Sequence, residues 1–218
     1  MNQILNDNLE NTNITPVSTI SYKKFKFIFW FSLFVITICI IIYGFLKYNS
    51  YQKEKISKTL VDNFSIYSLY SNNNNYVAEK MNNTTEKKDP FVIGLLKIDK
   101  IGLMYPILSD TTEESLKISP CRFYGPMPNE IGNLCIAGHN YANQKHFGKL
   151  SSLVNGDFIQ IYDLNGNELN YIVYEKLEVN VNDTSCISQD TNQTREVTLV
   201  TCNTIKGTRI VIKAKENR

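Results

Sequence analysis

The sequence predicts a small closed or sandwiched β-structure carried behind one N-terminal transmembrane helix. Three observations lead there. Residues 27–46 form an apolar run without a charge, of the length that crosses the hydrocarbon of a bilayer. From Phe91 onward, short β-branched and aromatic runs alternate with turn residues and leave little room for helix. Between two of those runs, Leu164-Asn165-Gly166-Asn167 carries the Asn-Gly pair of a tight hairpin, which predicts a type I′ turn.

The elements follow in chain order. Residues 1–24 are a polar tail rich in Asn and Thr, expected on the cytoplasmic side and disordered. Residues 25–47 are the signal-anchor helix. No small-x-small cleavage site follows Leu46, so the segment is expected to stay on the chain. Lys23, Lys24 and Lys26 crowd its N-terminal flank, against Lys47 alone at the other end. The positive-inside rule then places the N-terminus in the cytoplasm and the larger C-terminal part outside the cell. Residues 48–89 read as a stalk. Ile56, Leu60, Phe64 and Tyr67 recur at helical spacing and are expected to pack on the domain or the membrane surface. The Asn72–Asn75 run and the polar stretch from Asn82 to Pro90 are linker chemistry.

Residues 90–218 form the folded domain. Strands are expected at Phe91–Ile98, Met104–Leu108, Leu134–Ala137, Phe158–Tyr162, Leu169–Leu177, Glu196–Thr201 and Thr208–Ala214. Asp110–Leu116 reads as one or two helical turns, capped by Asp or Thr with acids in the first turn.

Composition narrows the function. The formal charge is +2 with 20% charged residues, and no basic stripe is interleaved with aromatics. That excludes a nucleic-acid partner. The five cysteines form no C-x-x-C pair and have no histidine at finger spacing, which excludes a structural zinc site. Cys39 is an apolar filler in the helix. An odd count leaves at least one thiol unbridged, and a Cys121–Cys135 or Cys121–Cys186 disulfide stays open.

Three residues carry chemistry. His139 follows the buried-looking run Leu134-Cys135-Ile136-Ala137 at a strand end, where a side chain is held rigidly yet can face a cleft. Cys202 stands at the end of the strand Glu196–Thr201, with Thr198 and Val200 on its own face and Val197, Leu199 and Thr201 on the other. Arg209 starts the strand after it. If the last two strands pair as a hairpin, Cys202 and Arg209 face each other across its end. A thiol is nucleophilic as thiolate, which nearby positive charge favours. A histidine can take the thiol proton and return it to a leaving amine. A guanidinium offers fixed donors to a developing oxyanion.

Thr198-Leu199-Val200-Thr201-Cys202 resembles the TLxTC signature of sortases, and Ile136-Ala137-Gly138-His139 resembles their histidine segment. The likeness extends through Gly125-Pro126, Gly132-Asn133, Phe147-Gly148-Lys149-Leu150 and Gly156-Asp157, roughly residues 92–215. The resemblance implies an eight-stranded β-barrel and a membrane-anchored cysteine transpeptidase. Such an enzyme cleaves an LPXTG-like sorting signal after Thr and passes the thioacyl intermediate to a cell-wall amine. It implies Cys202 as nucleophile, His139 as acid/base and Arg209 as oxyanion and substrate stabiliser. Implied partners are surface proteins bearing a C-terminal sorting signal and a peptidoglycan precursor or other amine acceptor.

The single apolar segment, and an Asp89-Pro90 without an aromatic plug partner, differ from pilin-polymerising class C members. The short stretch between Val179 and Thr198 differs from class B, so class A, D or E is expected. No cofactor is expected. Calcium, which some class A members bind, has candidate ligands in Asp110, Glu113 and Glu114, and the helix start accounts for them equally. His146 is expected to be exposed or substrate-adjacent, and Cys135 and Cys186 to be inert thiols. Thr201 is a candidate for positioning Cys202 or the oxyanion. The competing functions are a plain cysteine endopeptidase and a non-catalytic tethered β-domain that binds surface proteins.

Overall fold

The computed structural model describes residues 22–71 and 91–217. Most of the expected tail and the linker residues 72–90 lie outside the described residues. Helix α1, Tyr22–Ser71, begins with the aromatic and aliphatic run. Its side chains from residue 24 to residue 49 are all exposed. Among the described residues it is the one helix long and apolar enough to cross a membrane.

The described residues from Ser50 onward form a second compact unit, built on a closed barrel. Its strands are β1 (Val92–Ile98), β2 (Leu103–Leu108), β3 (Cys121–Tyr124), β4 (Gly132–Ala137), β5 (Phe158–Asp163), β6 (Glu168–Asn180), β7 (Arg195–Asn203) and β8 (Thr208–Glu216). Their order around the barrel is β1-β2-β3-β4-β7-β8-β6-β5, closed by antiparallel β1–β5 pairing. The eight-stranded barrel is thus as expected. β4 and β7 run parallel, so both deliver their C-terminal ends to the same rim. β7 and β8 are a hairpin.

Period-2 alternation sorts the side chains. Val197 and Leu199 of β7, Ile212 and Ala214 of β8, and Leu134 and Ile136 of β4 point into the barrel core with Leu96, Ile159 and Ile161. Each fully buried aliphatic of this kind contributes about 1.5–3 kcal/mol of transfer free energy. Thr198, Val200 and Cys202 take the outer face. There Val200 and Val211 pack with Phe123, Leu177, Val179, Cys186 and Ile187 in a smaller cluster. The segment 181–194 between β6 and β7 supplies Cys186 and Ile187 and covers this face.

Helix α2, Glu113–Ile118, starts at Thr112, whose side chain accepts from the Ser115 amide. The C-terminal part of α1 belongs to the barrel unit. Leu60, Val61 and Phe64 pack with Val92, Leu95, Leu108 and Cys121, and with Leu116 and Ile118 around α2. Glu54 pairs with Lys145, and Ser57 is buried. The expected apolar stripe therefore holds at Leu60 and Phe64. Ile56 is exposed, and the side chain of Tyr67 lies outside the described residues.

Two expectations need correction. β3 was not anticipated. It has four residues, and its register with β4 shifts between Arg122 and Tyr124, so no clean alternation marks it. The β5–β6 hairpin is present, but its turn is not type I′. Only Gly166 has positive φ there, at +80°, and its amide donates to the Asp163 carbonyl at 3.0 Å. The Asp163 carboxylate accepts from the amides of Asn165 and Asn167, each at 2.9 Å. That side-chain capture favours a longer loop with glycine at its left-handed position.

Candidate active site

The rim shared by β4, β7 and β8 gathers the three residues singled out from sequence. The β4–β7 ladder runs to Ala137 and Val200, and the contacts continue past it. The Gly138 amide donates to the Val200 carbonyl at 3.1 Å. The Thr201 hydroxyl donates to the Gly138 carbonyl at 2.7 Å. The Asn140 side-chain amide donates to the Cys202 carbonyl at 2.7 Å. His139 and Cys202 each stand two residues beyond the last paired positions, so they sit level on neighbouring strands, which lie about 4.8 Å apart. On the other side, Cys202 is directly opposite Arg209 in the β7–β8 register. Opposed Cβ atoms in such a pair are about 5 Å apart. Cys202 is exposed, while His139 and Arg209 are partly buried.

Gly138 is required by close approach. A Cβ there would lie 2.7 Å from the Phe147 ring. Phe147 and Leu150 are buried in the barrel core and pull residues 140–149 inward. The Phe147 amide closes this loop onto the His139 carbonyl at 3.0 Å.

The electrostatics differ between the two histidines. Burial lowers the pKa of His139, Lys117 adds to that lowering, and Glu113 opposes it. Lys117 and Glu113 are themselves an ion pair on α2. His139 is therefore biased toward the neutral imidazole that can accept a proton. Of the two expectations for His146, the exposed one is corrected: the residue is only 7% exposed. Its backbone is left-handed (φ +48°), it forms an isolated bridge with Asn140, and its ring meets Tyr105 at 4.9 Å and Tyr141 at 5.1 Å. Burial pushes its pKa down to about 4. Tyr141 stands between the two histidines, its ring centroid 5.1 Å from that of His139.

The remaining thiols lack this setting. All five cysteines are free. Burial pushes Cys121 and Cys135 up to about 12, and it also raises Cys186. Asp110 and Glu113 are occupied by α2 itself. The Asp110 carboxylate accepts from Ser115 Oγ at 2.7 Å, and Glu113 holds Lys117. A cavity of about 630 Å³ lies beside β3, between Asp110, Arg122, Tyr124, Ile131 and Gln189. Sequence reasoning missed Asn140 as a site residue. Its place immediately after His139 was the one available signal.

A closed β-barrel that presents an exposed cysteine between a histidine and an arginine on three adjacent strand ends is an arrangement suited to thiol-dependent acyl transfer. The chain belongs to the sortase family: the sortase domain model matches residues 96–217. It is thus a cysteine transpeptidase of that family. No curated protein matches the chain. Among solved structures it is similar to a Clostridium perfringens sortase D5 transpeptidase, with 29% identity and a TM-score of 0.62, over 75% of this chain and 99% of that one. It also resembles C. perfringens sortase C with the C-terminal cell wall sorting motif, at 22% identity and a TM-score of 0.53, over 76% and 91% of the two chains. A lid mutant of sortase A from Corynebacterium diphtheriae matches at 20% identity and a TM-score of 0.55, over 75% and 95%. The last two likenesses are likenesses of fold.

Proposed function

We propose that this chain is a membrane-anchored transpeptidase that cleaves an LPXTG-like sorting signal after threonine and transfers the acyl group to a cell-wall amine. The observation that carries the reading is the placement of exposed Cys202 level with His139 on β4's extension and opposite Arg209 on β8. In this reading Cys202 is the nucleophile, His139 the acid/base and Arg209 the oxyanion stabiliser. His139 takes the Cys202 thiol proton as the sulfur bonds to the threonine carbonyl carbon, while Arg209 donates to the oxygen, where charge develops. The Thr–Gly C–N bond breaks, and the proton held by His139 leaves on the glycine amine. An incoming amine attacks the thioester, the sulfur departs as thiolate, and His139 takes the proton the amine releases.

The donor is then a surface protein with a C-terminal sorting signal, and the acceptor a peptidoglycan precursor or other amine. The apolar helix supports anchoring through residues 25–47, with residues 1–24 cytoplasmic and the catalytic domain, residues 90–218, extracellular. The class reading, A-, D- or E-like, draws support from the 29% identity to a sortase D5. The enzyme is expected to work without a cofactor.

The test is an assay of the detergent-solubilised chain on fluorogenic LPXTG-like peptides, with and without amine acceptors, beside Cys202→Ala. Cleavage that depends on Cys202 and partitions toward an added amine is expected. Cleavage that survives Cys202→Ala would end the mechanism, and cleavage indifferent to every amine would favour an endopeptidase.

A further inference from the structure

The segment 181–194 is fastened to the barrel by a polar clasp that the reaction chemistry does not use. Its centre is Asn133 of β4, which is fully buried. The Asn133 side-chain amide donates to the carbonyls of Cys186 at 3.1 Å and Ser188 at 3.0 Å. Its side-chain oxygen accepts from the Thr198 hydroxyl at 2.8 Å. Both main-chain groups of Asn133 are also engaged. The Asn133 amide donates to Gln189 Oε1 at 3.1 Å, and Gln189 Nε2 donates to the Asn133 carbonyl at 2.9 Å. Gln189 Nε2 donates as well to the Ile187 carbonyl at 3.1 Å. The Gln189 side chain thus serves Asn133 as a neighbouring strand would.

Two glycines make room for that amide. A Cβ at Gly132 would lie 3.1 Å from Gln189 Oε1. One at Gly125 would lie 3.3 Å from Gln189 Nε2 and 2.0 Å from the Asn133 carbonyl oxygen. Both glycines also have positive φ, +87° at Gly125 and +120° at Gly132, which disfavours any other residue. The rest of Gln189 is exposed and borders the cavity beside β3. The segment it holds places Cys186 and Ile187 on Val200 and Val211. Those two valines are the pair next to Cys202–Arg209 on the same outer face.

We propose that Asn133 and Gln189 are positioning residues for recognition of the peptide donor. They hold residues 185–189 closed on β4 and β7, so the surface beside Cys202 that would receive the peptide stands before it arrives. A fully satisfied network of this kind specifies one arrangement, and each partner removed leaves buried groups unpaired. If the clasp opens, only a fraction of molecules is binding-competent, and apparent affinity falls by that fraction.

The inference rests on the donor reading above, so its test has one arm that needs no peptide. Gln189→Ala and Gln189→Met are the principal variants, because Gln189 is exposed and its loss should leave the barrel folded. Asn133→Ala serves where it folds. In the full chain, amide exchange over residues 185–189 is expected to accelerate about tenfold or more in both Gln189 variants. Alkylation of Cys202 by iodoacetamide is expected to keep its rate. With LPXTG-like peptides, KM is expected to rise about fivefold to tenfold while kcat changes less than about twofold. Wild-type exchange rates in Gln189→Met would overturn the clasp, since that side chain fills the space without the hydrogen bonds. Faster exchange with an unchanged KM, or with loss confined to kcat, would overturn its role in recognition. A wild-type chain that turns over no such peptide would instead remove the donor reading, and the exchange arm would still decide the clasp.

Discussion

Cys202 and Cys135 lie on the same outer face of the same sheet, and they could hardly be set more differently. Cys135 sits in the covered middle of that face. It is opposite Thr198 in the β4–β7 register, and burial raises its thiol to about 12. Cys202 sits at the open rim, exposed, with Arg209 across the hairpin and the His139 segment tied to its own carbonyl through Asn140. The thiol itself is identical in both. What differs is access to water and the presence of groups that can stabilise a thiolate or accept its proton. A strand end offers both because the ladder stops there and the next residues diverge, whereas the covered middle excludes water and charge together.

Removing each thiol in turn should separate the two regions most sharply. Cys202→Ala is expected to lower transpeptidation at least about 10³-fold with the fold intact, read by single-turnover kinetics and circular dichroism. Cys135→Ala should leave kcat within about twofold and cost about 1–2 kcal/mol of stability, read by thermal melting. Activity lost in both variants alike would mean that the covered region takes part in the chemistry. Next in size is Arg209→Ala, which should reduce kcat about a hundredfold with little change in KM. A full rate there would remove Arg209 from the oxyanion role.

Much of this contrast was legible in the sequence. Alternation through Thr198, Val200 and Cys202 fixed the outer face of β7, and the break from Asn203 to Gly207 fixed a hairpin that sets Cys202 opposite Arg209. His139 was visible because a short apolar run precedes it. Other features had no local signature. β3 is interrupted by a register shift. The clasp joins Asn133 to Gln189, 56 residues away, through side-chain amides that any polar loop might carry. His146 sits among Asn, Gln and Lys, so its neighbours read as surface. It is buried because Phe147 and Leu150, just beyond it, anchor the loop in the core.

The two histidines extend the comparison to proton binding, with smaller effects. Lys117 lowers the pKa of His139 and Glu113 raises it, burial being the larger cause. Lys117→Gln should therefore move the His139 titration upward and Glu113→Gln downward, followed by the imidazole proton resonances. Shifts in the opposite sense would mean that these side chains do not act on His139 through space.

His146 should register in stability instead of rate. Its folded pKa, about 4, lies below the value near 6.5 that an exposed histidine has, with burial the chief cause and His139 and Lys145 adding to it. Between those values the unfolded chain binds the proton and the folded chain does not, so stability falls as pH drops from about 6.5 toward 4. The whole window is worth about 3 kcal/mol at most, and below it both states are protonated, so no further loss arises from this group. Glu54 and the Ile118 backbone work against the shift, but they do not reverse it. His146→Phe keeps a ring between Tyr105 and Tyr141 without a titrating nitrogen. Its melting temperature should therefore decline less between pH 7 and pH 4.5 than that of the unsubstituted chain. Parallel declines in the two proteins would mean that His146 takes up its proton without unfolding the loop, and the covered and open regions would then differ in access alone.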